Sequence, residues 1–291
     1  MSPPATGVDS NCLALDIGGT KIEAAVVSAA SGILARSRID TDSRDPTLFE
    51  QVIKLVSSVR SGYDVGVMGV GCGGPMSRGG ERVSPLNIPA WRSFALRQRL
   101  VEDTKLPVFI DNDAKALALA EGQFGGARGC DNYLSMVVST GIGGGLVIDG
   151  RLLDGRDGNA GHIGHVIVEP SGRRCECGSI GCLEAEASGT AIAAITGAPP
   201  REAPLEIRRR SGALVGRAVA SAAALLDFDH CFVAGSVALG FGPTFFDAAN
   251  EEVARVACID HVRTLRIEPS MLGADGPVLG AAAVGWRGLC S

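Results

Sequence analysis

The apolar positions change period along the chain. Residues 13–17, LALDI, run into Gly18 and Gly19, and residues 22–27, IEAAVV, resume with strand-like composition. Strand, glycine turn, strand predicts a hairpin. A third strand is expected at 33–39. The period then becomes helical, with Leu48, Phe49, Val52, Ile53, Leu55, Val56 and Val59 on one face, which predicts a helix over 46–60. A buried strand at 65–71 leads into CGGPMSRGGERVSPLNIPAW, a loop rich in Gly and Pro. A helix at 93–104, a strand at 107–110 and a helix opening near Asp113 follow.

From Tyr133 the opening pattern recurs as LSMVV, STGIGGG and LVI, again strand, glycine turn, strand. Two copies of one hairpin predict a duplicated βββαβα unit. Beyond a cysteine-bearing loop, 185–196 reads as helix, 197–204 as a Pro-containing break and 211–226 as an Ala-rich helix. HCFVA at 230–234 reads as a strand before GSVALG, followed by helix 243–257, strand 262–267 and a terminal helix at 276–287. Alternating strands and helices predict mixed α/β sheets with ligands at the strand ends.

Composition narrows the function. With 291 residues and 46% hydrophobic positions, the chain can bury a substantial core. It has no apolar run long enough for a membrane span. A net charge of −5 argues against a nucleic-acid partner, which would need basic surface to neutralise phosphates. The basic cluster Arg208–Arg210 reads as a solvated helix face. The first residues, MSPPATGVDSNC, lack the charged and apolar regions of an export signal, so a cytoplasmic setting is expected.

That setting disfavours disulfides and changes how the loop GHIGHVIVEPSGRRCECGSIGCLE is read. His165, Cys175, Cys177 and Cys182 form an H-x9-C-x-C-x4-C array, enough donors to close a tetrahedral structural zinc site. His162 and Glu184 lie close to two of these ligands, so a metal would fix them in space. The remaining cysteines, Cys12, Cys72, Cys130, Cys231, Cys258 and Cys290, read mostly as small core hydrophobes.

Asp16 ends the first strand and precedes GGTK. Backbone amides there can approach a phosphate while the carboxylate meets a hydrated Mg²⁺. The second turn, Ser139-Thr140-Gly141-Ile142-Gly143-Gly144-Gly145, offers hydroxyls and unhindered N–H groups to another phosphate. Either turn alone is compatible with a plain tight hairpin. No G-x4-G-K-[ST] is present, which excludes a P-loop, and the glycines at 141–145 open a strand, not the helix of a dinucleotide fingerprint. Asp111, Asn112 and Asp113 fall where a strand meets a helix. A helix cap accounts for one acidic residue. A carboxylate placed there can also accept a proton from a hydroxyl during phosphoryl transfer.

DIGGTK at 16–21, DNDA at 111–114, STGIGGG at 139–145, CECGSIGCLE at 175–184 and GAAAVG at 280–285 together resemble the ROK family of bacterial sugar kinases, over nearly the whole chain. The resemblance implies an actin- or hexokinase-like fold. It implies two lobes, 1–115 joined by the terminal helix 276–291, and 116–275 with the zinc loop. It implies ATP with Mg²⁺, structural Zn²⁺, a hexose substrate such as glucose phosphorylated at its 6-hydroxyl, and a homodimer or homotetramer. By the same resemblance Asp113 is the catalytic base, and Asn112, Gly74, Asn87, His162, His165 and Glu184 surround the sugar, His165 also ligating zinc. The phosphates of ATP would lie between the hairpins that carry Asp16, Gly18, Gly19, Thr20 and Lys21 on one side and Ser139, Thr140, Gly141 and Gly143 on the other, with Gly235 and Ser236 near the adenosine.

Two departures stand out. His162 replaces the usual Glu in AGHIGH, as in N-acetylmannosamine kinases, and an imidazole in place of a carboxylate leaves the sugar open. Lys115 stands where Asn is common and is expected to face solvent. Some members use polyphosphate as donor. Others are sugar-sensing regulators with an N-terminal helix-turn-helix domain, a reading not expected here because about a dozen residues precede the first strand.

Overall fold

The structure, a computed structural model, describes residues 10–290. Residues 1–9, which carried most of the expectation about export, and residue 291, the end of the expected terminal segment, lie outside the described residues. The chain divides into two units, Met1–Ala120 with Ala274–Ser291, and Glu121–Gly273.

In the first unit, β1 (Asn11–Ile17), β2 (Lys21–Ser28) and β3 (Gly32–Asp40) form an antiparallel meander. Helix α1 (Leu48–Arg60) leads to β4 (Val65–Cys72), α2 (Leu96–Thr104) to β5 (Val108–Asn112), and α3 (Asp113–Phe124) follows directly. The sheet order is β3-β2-β1-β4-β5, with β4 parallel to β1 and β5 parallel to β4. The apolar face read from the sequence is the buried face of α1, with Leu48, Phe49, Val52, Leu55, Val56 and Val59 all in the core. Each such burial contributes about 1.5–3 kcal/mol. The three parallel strands end level, Ile17 opposite Cys72 and Cys72 opposite Asn112, so the residues that follow them share one edge of the sheet.

The second unit repeats this plan. Strands β6 (Tyr133–Val138), β7 (Ile142–Ile148) and the short β8 (Arg151–Leu152) form the meander. After the cysteine loop come α4 (Leu183–Ala187), α5 (Gly189–Thr196) and α6 (Leu205–Leu226), then β9 (His230–Ala234), α7 (Ser236–Phe241), α8 (Pro243–Val256) and β10 (Arg266–Pro269). The sheet order is β10-β9-β6-β7-β8, which read from its other edge is the order of the first sheet. The two units are therefore mixed sheets of one strand order.

The chain returns to the first unit with α9 (Gly276–Leu289), packed on β1, β4 and β5. Contact is close enough that a Cβ at Gly69 would stand 1.9 Å from the Ala281 carbonyl oxygen. Ala116 lies against Gly280 of α9, so the first turns of α3 pack with this unit, which runs to Ala120.

Several elements differ from expectation. The single helix expected at 185–196 breaks at Ser188, whose extended backbone lets its hydroxyl cap α5 by accepting from Ala191 N–H at 3.1 Å. Helix α6 begins at Leu205, ahead of 211, because its charged first turns are held by tertiary contacts and show no apolar period. The face at Arg208–Arg210 is partly solvated, with Arg209 exposed and Arg208 and Arg210 half-buried, and all three make tertiary contacts. Arg208 bonds the Ala203 carbonyl and lies over Phe241, Arg209 pairs with Glu251 on α8, and Arg210 pairs with buried Glu186 on α4 at 2.5 Å. β10 covers 266–269, later than the 262–267 expected, since residues 260–262 form a short 3₁₀ turn. No helix among the described residues is long and apolar enough to cross a membrane.

Candidate functional site

The edge formed by β1, β4 and β5 gathers the first set of candidates. Gly18, Gly19 and Thr20 turn the chain between β1 and β2, and the turn is held by Gly18 N–H donating to the Lys21 carbonyl at 3.0 Å and by Thr41 donating to Gly18 O at 2.9 Å. Gly74 follows β4 and stands beside Asn112, whose Nδ2 is 3.9 Å from where a Gly74 Cβ would be. Asn112 and Asp113 occupy the corner between β5 and α3, and both side chains accept from the Ala114 N–H, at 3.0 and 2.8 Å. Desolvation raises the Asp113 carboxyl above the ordinary range, partly offset by the Ala114 N–H. Asp16, nearly buried at the end of β1, is pushed up to about 7 by burial and by the charge of Asp113, with Lys21 opposing. Asn87 packs on the first turn, its Cβ 2.5 Å from the position a Gly19 Cβ would take.

Two ionic networks stand behind this edge. Lys21 donates to Glu23 on β2 at 2.9 Å, Arg36 on β3 also donates to Glu23, and Arg36 reaches Asp275 before α9 at 2.5 Å. Glu23 is 3% exposed; burial opposes its charge, but the bonds from Lys21 and Arg36 outweigh it and hold the carboxyl below its usual value. Lys115 does not face solvent: it is buried, and its ammonium pairs with Asp111 Oδ1 at 2.9 Å, while Arg287 of α9 lies 3.4 Å from Asp111 Oδ2. Asp111 also accepts from Asn112 N–H at 2.8 Å, so the network ends on the backbone of the 112–113 corner. Glu23 was visible in the sequence as a charge inside an apolar strand. Lys21 lies two residues away on the same strand, but Arg36 comes from β3, and that pairing was not visible.

In the second unit the turn proper is Ser139–Gly141, since Ile142 already belongs to β7. Gly143 sits in β7 opposite Val137, so it is a strand residue and not part of the turn. Ser139 and Ser236 hydroxyls are 3.0 Å apart, which brings the GSVALG segment to the turn, and Gly235 adopts φ of 102° with no room for a Cβ beside Val138 O. Glu184, on the first turn of α4, accepts from Ile142 N–H at 2.8 Å.

His165, Cys175, Cys177 and Cys182 come together with their donor atoms all within 4.8 Å of one another. Cys175 Sγ is 3.7 Å from His165 Nδ1 and Cys177 Sγ is 3.7 Å from Cys182 Sγ. Zn–S bonds of about 2.3 Å give tetrahedral edges close to these distances, so the donor set fits zinc. Burial pushes the Cys182 thiol up to about 12, whereas Ser179 N–H draws exposed Cys177 down. His162 and His165 are exposed, with ring centroids 6.0 Å apart. Of the other cysteines Cys12, Cys72 and Cys231 are core residues as expected, but Cys130 is half-buried and Cys258 and Cys290 are exposed.

Comparison with known proteins supplies a family. The model described as "ROK family" matches residues 12–286. A glucokinase from Thermotoga maritima is 32% identical over 306 residues, covering 94% of this chain and 96% of its own. An N-acetylmannosamine kinase from Haemophilus influenzae is 32% identical over 292 residues, covering 93% and 94%. Among solved structures, a ROK hexokinase from Thermus thermophilus superposes with a TM-score of 0.86 at 31% identity, covering 96% and 99% of the two chains. A ROK glucokinase from Streptomyces griseus, in complex with glucose and AMPPNP, gives 0.80 at 28% identity, covering 95% and 99%.

Proposed function

This chain belongs to the ROK family, and on that premise we propose that it is an ATP-dependent sugar kinase that transfers the γ-phosphoryl group to the 6-hydroxyl of a hexose, glucose first. The observation that carries the reading is Asp113, a carboxylate at a strand-to-helix corner whose carboxyl is raised by desolvation and which stands in one unit with Asn112 and Asp16. A base held closer to working pH is better matched to accepting a hydroxyl proton. Asp113 takes that proton as the sugar oxygen bonds to the γ-phosphorus, and the bond from phosphorus to the β-phosphate bridging oxygen breaks to release ADP. Asn112, Gly74 and His162 would orient the sugar, with Glu184 and His165.

The two glycine turns, equivalent in the two sheets, would hold the phosphates, and Asp16 would meet the hydrated Mg²⁺ that accompanies ATP and neutralises charge on the transferring group. Lys21 would add a cation to the first turn, fixed by Glu23. Ser139, Thr140, Gly235 and Ser236 would serve the nucleotide from the second unit. His165, Cys175, Cys177 and Cys182 would hold zinc, which supplies no chemistry but fixes the loop that leads to Glu184.

His162 favours a second reading, an N-acetylmannosamine kinase, because an imidazole changes both charge and reach at a sugar contact. Higher turnover on N-acetylmannosamine than on glucose would establish it. For the kinase itself the test is Asp113→Ala. Sugar-dependent ADP production is expected to fall by about 10²–10⁴-fold with sugar binding retained; unchanged turnover would remove Asp113 from the mechanism.

A further inference from the structure

Ser139–Gly141 and the residues beginning α4 and α5 are joined at every step. Glu184 Oε2 accepts from Ile142 N–H at 2.8 Å. The same oxygen lies 2.8 Å from where a Gly141 Cβ would stand, so the missing side chain at Gly141 is what admits the carboxylate. Two residues past α4, Gly189 N–H donates to the Ser139 carbonyl at 2.7 Å. Thr190 then donates to the Thr140 carbonyl through both its N–H, at 3.2 Å, and its hydroxyl, at 3.0 Å. The turn therefore takes its shape from residues 184–190, and the one charged group among these contacts is Glu184.

Resting on the sugar-kinase reading above, we propose that Glu184 is a positioning residue for nucleotide binding, and that through it sugar and nucleotide affinities are linked. One carboxylate holds the phosphate turn and also belongs to the sugar contacts. A sugar hydroxyl that engages Glu184 changes how firmly it holds Ile142, and by thermodynamic reciprocity nucleotide on the turn changes sugar affinity by the same factor. Gly141 is thus needed for the approach of a side chain, in addition to any amide it presents to phosphate.

The test is calorimetric titration of Mg·AMPPNP into the full-length, zinc-loaded protein, without and with glucose. Glu184→Met keeps the length of the side chain and removes the acceptor; Glu184→Gln keeps a carbonyl oxygen in the same place. Without sugar, Glu184→Met is expected to bind nucleotide about tenfold more weakly than wild type, a coupling of ordinary size, and to lose the effect of glucose on that affinity. Glu184→Gln is expected to stay close to wild type for nucleotide while losing sugar affinity. Glu184→Asp, which withdraws the oxygens by one methylene, should show the same sugar-free weakening and gives the readout if Glu184→Met does not fold. Wild-type affinity for nucleotide in Glu184→Met or Glu184→Asp would overturn the proposal and leave the kinase reading intact. A wild-type protein that binds no nucleotide would overturn both.

Discussion

The turn at Gly18–Thr20 and the turn at Ser139–Gly141 hold the same place in two sheets of one strand order, yet they are held by different means. The first is braced by charge: Lys21, Glu23, Arg36 and Asp275 form a chain behind it, and Asp16 stands at its base. The second is braced by backbone bonds from α5 and one carboxylate from α4, next to a cluster of metal donors. Both turns admit a side chain where a glycine leaves room, Asn87 at Gly19 and Glu184 at Gly141. The two units share a strand order and a glycine-bearing turn after the first strand, and they differ in the polar groups that brace each turn.

The contrast makes predictions of descending size. If the second turn depends on the metal loop and the first does not, chelation or Cys177→Ser should lower Tm by about 10 °C or more. It should speed hydrogen exchange at residues 139–142 while leaving 18–21 as they were. Equal change at both turns would break the contrast. In the first unit, Arg36→Met leaves buried Glu23 with Lys21 alone and is expected to cost about 2 kcal/mol, less than a fully buried pair because Arg36 is 39% exposed. Glu23→Gln, which removes the buried charge itself, should cost less in denaturant titration; the reverse order would show that the cations, not the carboxylate, are the strained partners.

The smallest effect is in acid. Glu23 and Glu252 both sit below their ordinary value of 4.5, Glu23 for the reasons above and Glu252 through bonds from Arg255 and then Arg217 that outweigh burial. Each binds fewer protons folded than unfolded, so their contribution to stability is present above pH 4.5 and is lost as pH falls through the folded values. Arg36→Met should flatten that acid limb and leave the part due to Glu252; an unchanged limb would remove Glu23 from it.

The hairpins and α1 were legible because burial on one face writes a period into the chain, and the second hairpin was legible because it repeats the first. The metal donors were legible because their spacing is local. Lys115 was misread: a lysine one turn into a helix looks solvated, and its burial depends on Asp111 and on packing that local spacing does not encode. The start of α6 was missed for a related reason, since its half-exposed first turns show no apolar period and are held by arginines that reach Glu186, Glu251 and the Ala203 carbonyl outside the helix. Gly141 could be seen as a turn glycine, but its neighbour Glu184 comes from α4, far along the chain, and no local pattern announces that approach.

The most direct test of the whole account is coupled measurement of ADP release by the zinc-loaded protein with Mg·ATP, against glucose, mannose, fructose, glucosamine, N-acetylglucosamine and N-acetylmannosamine. ADP release that depends on sugar, strongest with glucose and abolished in Asp113→Ala, is the predicted result. No sugar-dependent release across the panel would contradict it.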